Sequence, residues 1–122
     1  MSKVDRLTVK LPMYYAQIEF YICDDYGVLA KAVPERIRED VLESTSSGTF
    51  SPYTMQDVKL YRRPIIYARW HNIPIIAHEI LHACTWIASQ SGIPMTYEND
   101  ETLAYMQQYL LNIYLAKFWD IK

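Results

Sequence analysis

The spacing of apolar residues changes period partway along this chain, and that change limits what it can fold into. Residues 7–23 (LTVKLPMYYAQIEFYIC) alternate and are rich in β-branched and aromatic side chains, the two-residue period of half-buried strands. Pro12 divides the run, so it reads as a strand, a bend, and a second strand over Tyr15–Cys23. From Asn72 the period becomes helical. One helix is expected over Ile73–Gln90, ended where Gly92 can take the left-handed cap. A second follows the Ile93-Pro94 break over about Asp100–Trp119, with Asn99 or Asp100 as its N-cap. Strands followed by helices, with no repeat or linker between them, predict an α+β fold: a small mixed or antiparallel sheet from the N-terminal half packed on two or three helices. At 122 residues, positions 1–122 form one domain without a second lobe.

Between these segments the pattern is more broken. Asp24–Gly27 reads as a turn, and Pro34–Glu43 as a short helix with proline in its first turn, closed by Ser44–Gly48. Thr49–Asp57 reads as loop. Val58–Tyr61 and Ile65–Ala68, on either side of Arg62-Arg63-Pro64, read as an interrupted strand or hairpin. Pro64 lacks a ladder donor and argues for a sheet edge, where an extended peptide could pair around Tyr61–Tyr67.

Composition excludes several functions. Twelve Lys and Arg against fourteen Asp and Glu give a formal charge of −2, which removes the electrostatic case for nucleic acid or an anionic membrane. Arg62-Arg63, flanked by tyrosines, reads as surface rather than a nucleic-acid patch. No apolar run reaches the length of a membrane span and no signal-peptide block opens the chain, so the expected compartment is the cytosol. Cys23 and Cys84 have no second Cys or His at ligand spacing, and read as buried small hydrophobes.

The strongest motif is His78-Glu79-Ile80-Leu81-His82, H-E-x-x-H, inside the first long helix. Imidazoles four apart share a helix face and can bind one zinc ion, leaving the intervening glutamate to handle a water proton. At about 100° per residue the two histidines face away from Ala77, Ile80, Cys84, Ile87 and Ala88, toward a cleft rather than a core. On the second helix Glu101, Tyr105, Gln108 and Asn112 form one polar stripe. Glu98 and Asp100 read as first-turn acids that complement the helix dipole.

H-E-x-x-H followed after eighteen residues by a helical Glu resembles the gluzincin metallopeptidases, in particular the large zinc aminopeptidases, where Ala follows the third-ligand Glu by three, as Ala104 follows Glu101. The chain departs from them at Asp100, where they carry Asn, and at Thr102, where they carry Gly. His78–Ala83, Gly92-Ile93 and Asp100–Tyr105 are also similar to small H-E-x-x-H proteins encoded by bacteriophages and prophages, which would place this one in a host cytoplasm. The resemblance implies a zinc-peptidase-like site on a minimal zincin-like fold.

The expected site is then a zinc ion held by His78, His82 and Glu101, with water as fourth ligand and Glu79 as general base toward a peptide or protein substrate. Tyr105, one turn beyond Glu101, is the first candidate for the oxyanion donor, followed by His71 and Tyr97. Two other functions stay open. One is a weak or inactive zinc-binding protein serving as an interaction or inhibitory module, which a fourth protein ligand such as His71 would favour. The other is a metal-free interaction domain exposing Tyr and Trp. With so few residues, either the cleft is shallow and open or a partner protein closes it.

Overall fold

The computed structural model describes residues 3–52, 63–94 and 96–119. The alternating N-terminal residues form two antiparallel strands, β1 (Asp5–Leu11) and β2 (Ala16–Ile22), in register from Asp5 opposite Ile22 to Leu11 opposite Ala16. Pro12 stops β1 because it has no ladder N–H, and a 3-10 turn over Pro12–Tyr14 makes the bend. Tyr15 completes it in the left-handed region at φ 50°.

The turn expected at Asp24–Gly27 leads into a short helix, α1 (Tyr26–Leu29), because the Asp25 carboxylate caps it, accepting from the Gly27 and Val28 amides at 2.8 and 3.3 Å. Helix α2 (Glu35–Glu43) follows with Pro34 as N-cap.

The sheet has the order β1-β2-β4-β3, where β3 is Gly48–Ser51 and β4 is Ile65–Ala68. β4 runs parallel to β2 on one side and antiparallel to β3 on the other. It is therefore an interior strand, which corrects the edge expected from Pro64. The proline precedes the strand, so its missing N–H costs no ladder bond, and its carbonyl accepts from the Glu19 amide at 3.1 Å. An interior strand also has no free edge at Ile65–Tyr67 for a peptide to join. The loop expected from Thr49 is likewise strand as far as Ser51; at four residues β3 is too short to show alternation and exists by pairing with β4. Residues 53–62, which include the rest of that loop and the expected Val58–Tyr61 strand, lie outside the described residues.

The pleat sends alternate side chains to opposite faces, and both faces are covered. On one, Val9, Leu11, Ile18, Phe20 and Ile66 pack against α3 (Ile73–Gln90) and α4 (Asp100–Phe118) through Ile76, Ile80, Ile87, Leu110 and Tyr114. On the other, Tyr21, Ile65 and Tyr67 pack against α1 and α2 through Leu29, Ile37 and Val41. Burying each such aliphatic side chain contributes about 1.5–3 kcal/mol. The fold is α+β, with four helices where two or three were expected, the additional one being α1.

Asn72 caps α3 by accepting from the Ile75 amide at 3.1 Å, and Pro74 sits harmlessly in its first turn. At the other end Gly92 takes φ +76°, as expected, and the Ile93 amide returns to the Ala88 carbonyl at 2.9 Å. Asn99 is the N-cap position of α4, but its amide instead holds the preceding turn, donating to the Pro94 carbonyl and to Thr96 Oγ1 at 2.9 and 3.2 Å. The two long helices run antiparallel: Gln107 Nε2 donates to the Ala77 carbonyl at 3.2 Å, while His71, just before α3, meets Tyr114 and Phe118 near the end of α4. Cys23 and Cys84 are free and buried, and burial pushes the Cys84 thiol up to about 12. Among the described residues no helix is long and apolar enough to cross a membrane.

Candidate metal centre

His78 and His82 occupy successive turns of α3 on the side away from the sheet, and their Nε2 atoms converge to 3.1 Å. Two imidazole nitrogens about 2.0–2.1 Å from one tetrahedral zinc would stand about 3.3 Å apart, so the pair has close to the spacing that metal needs. Both histidines are exposed.

Glu79 follows His78 around the helix and turns under it toward β3, where it is buried to 8% exposure with Oε2 3.9 Å from His78 Nε2. The two side chains open into a groove of about 310 Å³ lined by Ser46, Ser47, Gly48, Pro74, Ile75, His78 and Glu79. Glycine is required at its centre, since a Cβ on Gly48 would stand 2.5 Å from Ile75 Cγ2 and 3.5 Å from Glu79 Cγ. The first residue of β3 thus lies directly against the helix that carries the motif.

The far wall of the groove is held by Tyr26 and Arg69. Tyr26 donates its hydroxyl to the Ser46 carbonyl at 3.0 Å, and the Arg69 guanidinium lies 3.9 Å from the centre of the Tyr26 ring. Arg69 also donates to the Ser44 and Asp24 carbonyls from its guanidinium, and to Ser47 from its amide at 3.0 Å. Burial pushes the Tyr26 hydroxyl up to about 12; Arg69 opposes the rise, while Tyr67 and the Glu79 charge add to it. These residues carry no sequence motif. The one sequence signal was Gly48, a scarce glycine after a run of serines and threonine.

The other expected site residues are more dispersed. Glu101 is exposed in the first turn of α4. Its level along the motif helix follows from the antiparallel register: counting about 1.5 Å per residue, the six positions from Gln107 back to Glu101 span nearly the distance of the five from Ala77 on to His82. Glu101 is therefore near the level of His82 along α3, but it stands one turn before Tyr105 on the same stripe of α4, about 120° around the helix from Gln107, so the helix does not turn it toward the histidines. Among the described residues no three His, Cys, Asp or Glu side chains gather as a metal-holding group.

Tyr105 is turned away from α3, lining a groove of about 440 Å³ against the β1–β2 bend with Lys10, Met13, Tyr14 and Tyr109. On α4 it lies about 160° around the helix from Gln107, which faces Ala77, so the structure places it apart from the histidines. Tyr97 is 90% exposed. His71 is committed elsewhere: Nε2 lies 2.7 Å from Asp5 Oδ2 and Nδ1 lies 2.5 Å from the Tyr114 hydroxyl, so both ring nitrogens are engaged and neither serves as a fourth ligand.

No family model, no curated protein and no solved structure matches this chain. The functional reading therefore stands on the geometry of His78, Glu79 and His82.

Proposed function

We propose that this protein is a zinc-dependent metallopeptidase whose metal is held by His78, His82 and Glu101. The observation that carries the reading is the convergence of the two Nε2 atoms at 3.1 Å, beside a mostly buried carboxylate that opens into a groove. Zinc in such a site polarises a substrate carbonyl and lowers the pKa of water toward about 7. The chain's residues do the rest. His78 and His82 would hold the metal through their Nε2 atoms, and Glu101 would have to reach across from α4 as the third ligand. Glu79 takes the proton of the attacking water on its carboxylate and passes it to the leaving amine. Its burial leaves that carboxylate fewer competing waters, and its opening into the groove aims it where a peptide backbone would lie. The two free, buried cysteines fit a reducing compartment, so we assign the protein to the cytoplasm.

A second reading is favoured by the exposure of both histidines and the lateral offset of Glu101: a zinc-binding module with little hydrolysis of its own that acts by docking on another protein. One experiment separates the two. Purified protein loaded with zinc is assayed on unfolded protein substrates beside Glu79→Gln. Hydrolysis by the first and not the second supports the peptidase, whereas bound zinc with equal, background hydrolysis by both supports the module.

A further inference from the structure

We infer that the outer edge of β1 is a docking strand for an extended, acidic segment of another protein, which adds to the sheet antiparallel to β1 and seats an apolar side chain in the groove at the β1–β2 bend. The inference goes beyond the zinc reading and does not depend on it, because β1 and the β3 strand beside Glu79 are opposite edges of the sheet. Backbone parity defines what this edge offers. The Glu19 and Cys23 amides donate to the Pro64 and Ala68 carbonyls, so the odd residues of β2 face β4 and the even ones face β1. Opposite those even residues stand Asp5, Leu7, Val9 and Leu11. Arg6, Thr8 and Lys10 therefore turn both N–H and C=O outward, and among the described residues β1 pairs with β2 alone. A row of outward backbone groups on an edge is a template for a strand from another chain.

Charge and the groove decide which strand fits. The Arg6, Thr8 and Lys10 side chains are exposed on the face that carries Tyr21, with the Arg6 guanidinium 5.6 Å from the centre of that ring. Asp5, the acid of β1, alternates to the other face and is engaged by His71 at 2.7 Å. Glu19, one strand in and opposite Thr8, accepts from the Tyr21 hydroxyl at 2.7 Å. The edge itself thus presents two cations. A second copy in antiparallel pairing would crowd both pairs of cations onto one face of a narrow ribbon, which like-charge repulsion disfavours. A partner strand with acidic residues four apart instead sets one opposite Arg6 and one opposite Lys10. Residues between them alternate onto the other face, which Leu7, Val9 and Leu11 share with α4. At the Leu11 end of that face the groove of about 440 Å³ is walled by Met13, Tyr105, Met106 and Tyr109, of which Met13, Tyr105 and Tyr109 are exposed. Such apolar surface at the end of an open strand suits a large apolar residue just outside the acidic pair.

The test uses an acetylated peptide of sequence Phe-Glu-Leu-Thr-Leu-Glu with a fluorophore at its C-terminus, titrated against the full chain in the presence of a chelator, so that the outcome is separate from that of the zinc reading. Antiparallel pairing turns the N–H groups of both Glu residues and the Thr toward β1 and those of the two Leu residues away. N-methylation at any of the first three should weaken binding about tenfold or more, and N-methylation at either Leu should leave it within about threefold. The double variant Arg6→Glu, Lys10→Glu should bind about tenfold more weakly and prefer the same peptide with Lys in place of both Glu residues. Thr8→Pro removes an outward N–H that β2 does not use, so the folded variant should lose about tenfold as well. Amide exchange at Arg6, Thr8 and Lys10 should be fast in the free chain and slow with the peptide bound. No binding at millimolar peptide, equal losses from N-methylation at both sets of amides, or indifference to the charge reversal overturns the inference. Protection of the three amides that rises with protein concentration in the absence of peptide gives the edge to a second copy and overturns it too. The N-methyl series needs no protein variant, so the inference stays open to refutation even where Thr8→Pro fails to fold.

Discussion

Gly48 and Ile75 approach so closely that a Cβ on the glycine would stand 2.5 Å from Ile75 Cγ2. The contact joins the first residue of β3 to the first turn of α3, and so sets one wall of the groove beside Glu79. A branched side chain carries its Cγ2 on a stiff χ1, so Ile75 has little freedom to yield. Gly48→Ala should destabilise the fold by about 1–3 kcal/mol in urea unfolding. Combining it with Ile75→Ala removes the colliding methyl, and the pair should depart from additivity by about 0.5–3 kcal/mol.

The spacing of His78 and His82 predicts metal uptake that depends on both. Metal analysis of protein prepared without chelators should find about one zinc per chain. The double variant His78→Ala, His82→Ala should contain none while keeping its far-ultraviolet circular dichroism, because both side chains are exposed and contribute little to the core. Zinc retained in the double variant would remove the histidines from the site.

Glu101 and Tyr105 share one face in the sequence but should separate in experiment. Glu101→Gln should weaken zinc binding, since it removes the charged ligand. Tyr105→Phe should leave zinc binding and hydrolysis within about twofold, because that side chain lines the groove against the β1–β2 bend. A large fall in turnover with Tyr105→Phe would place its hydroxyl at the reacting carbonyl after all.

Alkali should unfold the protein in a defined window. Burial raises the hydroxyls of Tyr26 and Tyr114 from 10.0 to about 12 in the folded chain, and Tyr21 is raised as well. Below pH 10 these tyrosines are protonated whether the chain is folded or not, and their contribution is fully present. Between pH 10 and about 12 the unfolded chain gives up protons that the folded one keeps, so stability falls as pH rises. Tyrosinate absorbance should therefore lag that of free tyrosine and then rise together with loss of circular dichroism. Smooth titration of all eleven tyrosines near pH 10 with the fold intact would contradict the burial described here.

What the sequence determined by itself is the local part. Period-two and helical spacing located β1, β2, α3 and α4 because each repeat lies within one stretch of chain, and Pro12 and Gly92 act on their own backbone. The shared face of His78 and His82 was legible for the same reason: a helix puts residues four apart on successive turns wherever it packs. Tertiary structure decided what depends on neighbours distant in sequence. Ile65–Ala68 reads the same at an edge or in the interior, and pairing with both β2 and β3 made it interior. Glu79 became the buried polar member of its motif because Gly48, thirty-one positions earlier, lets β3 close over it. Tyr105 lines the β1–β2 bend and not the groove at the histidines, and the stripe could not foretell it, because a helical stripe says which residues lie together and not which neighbour they face; contacts such as Gln107 with Ala77 decide that.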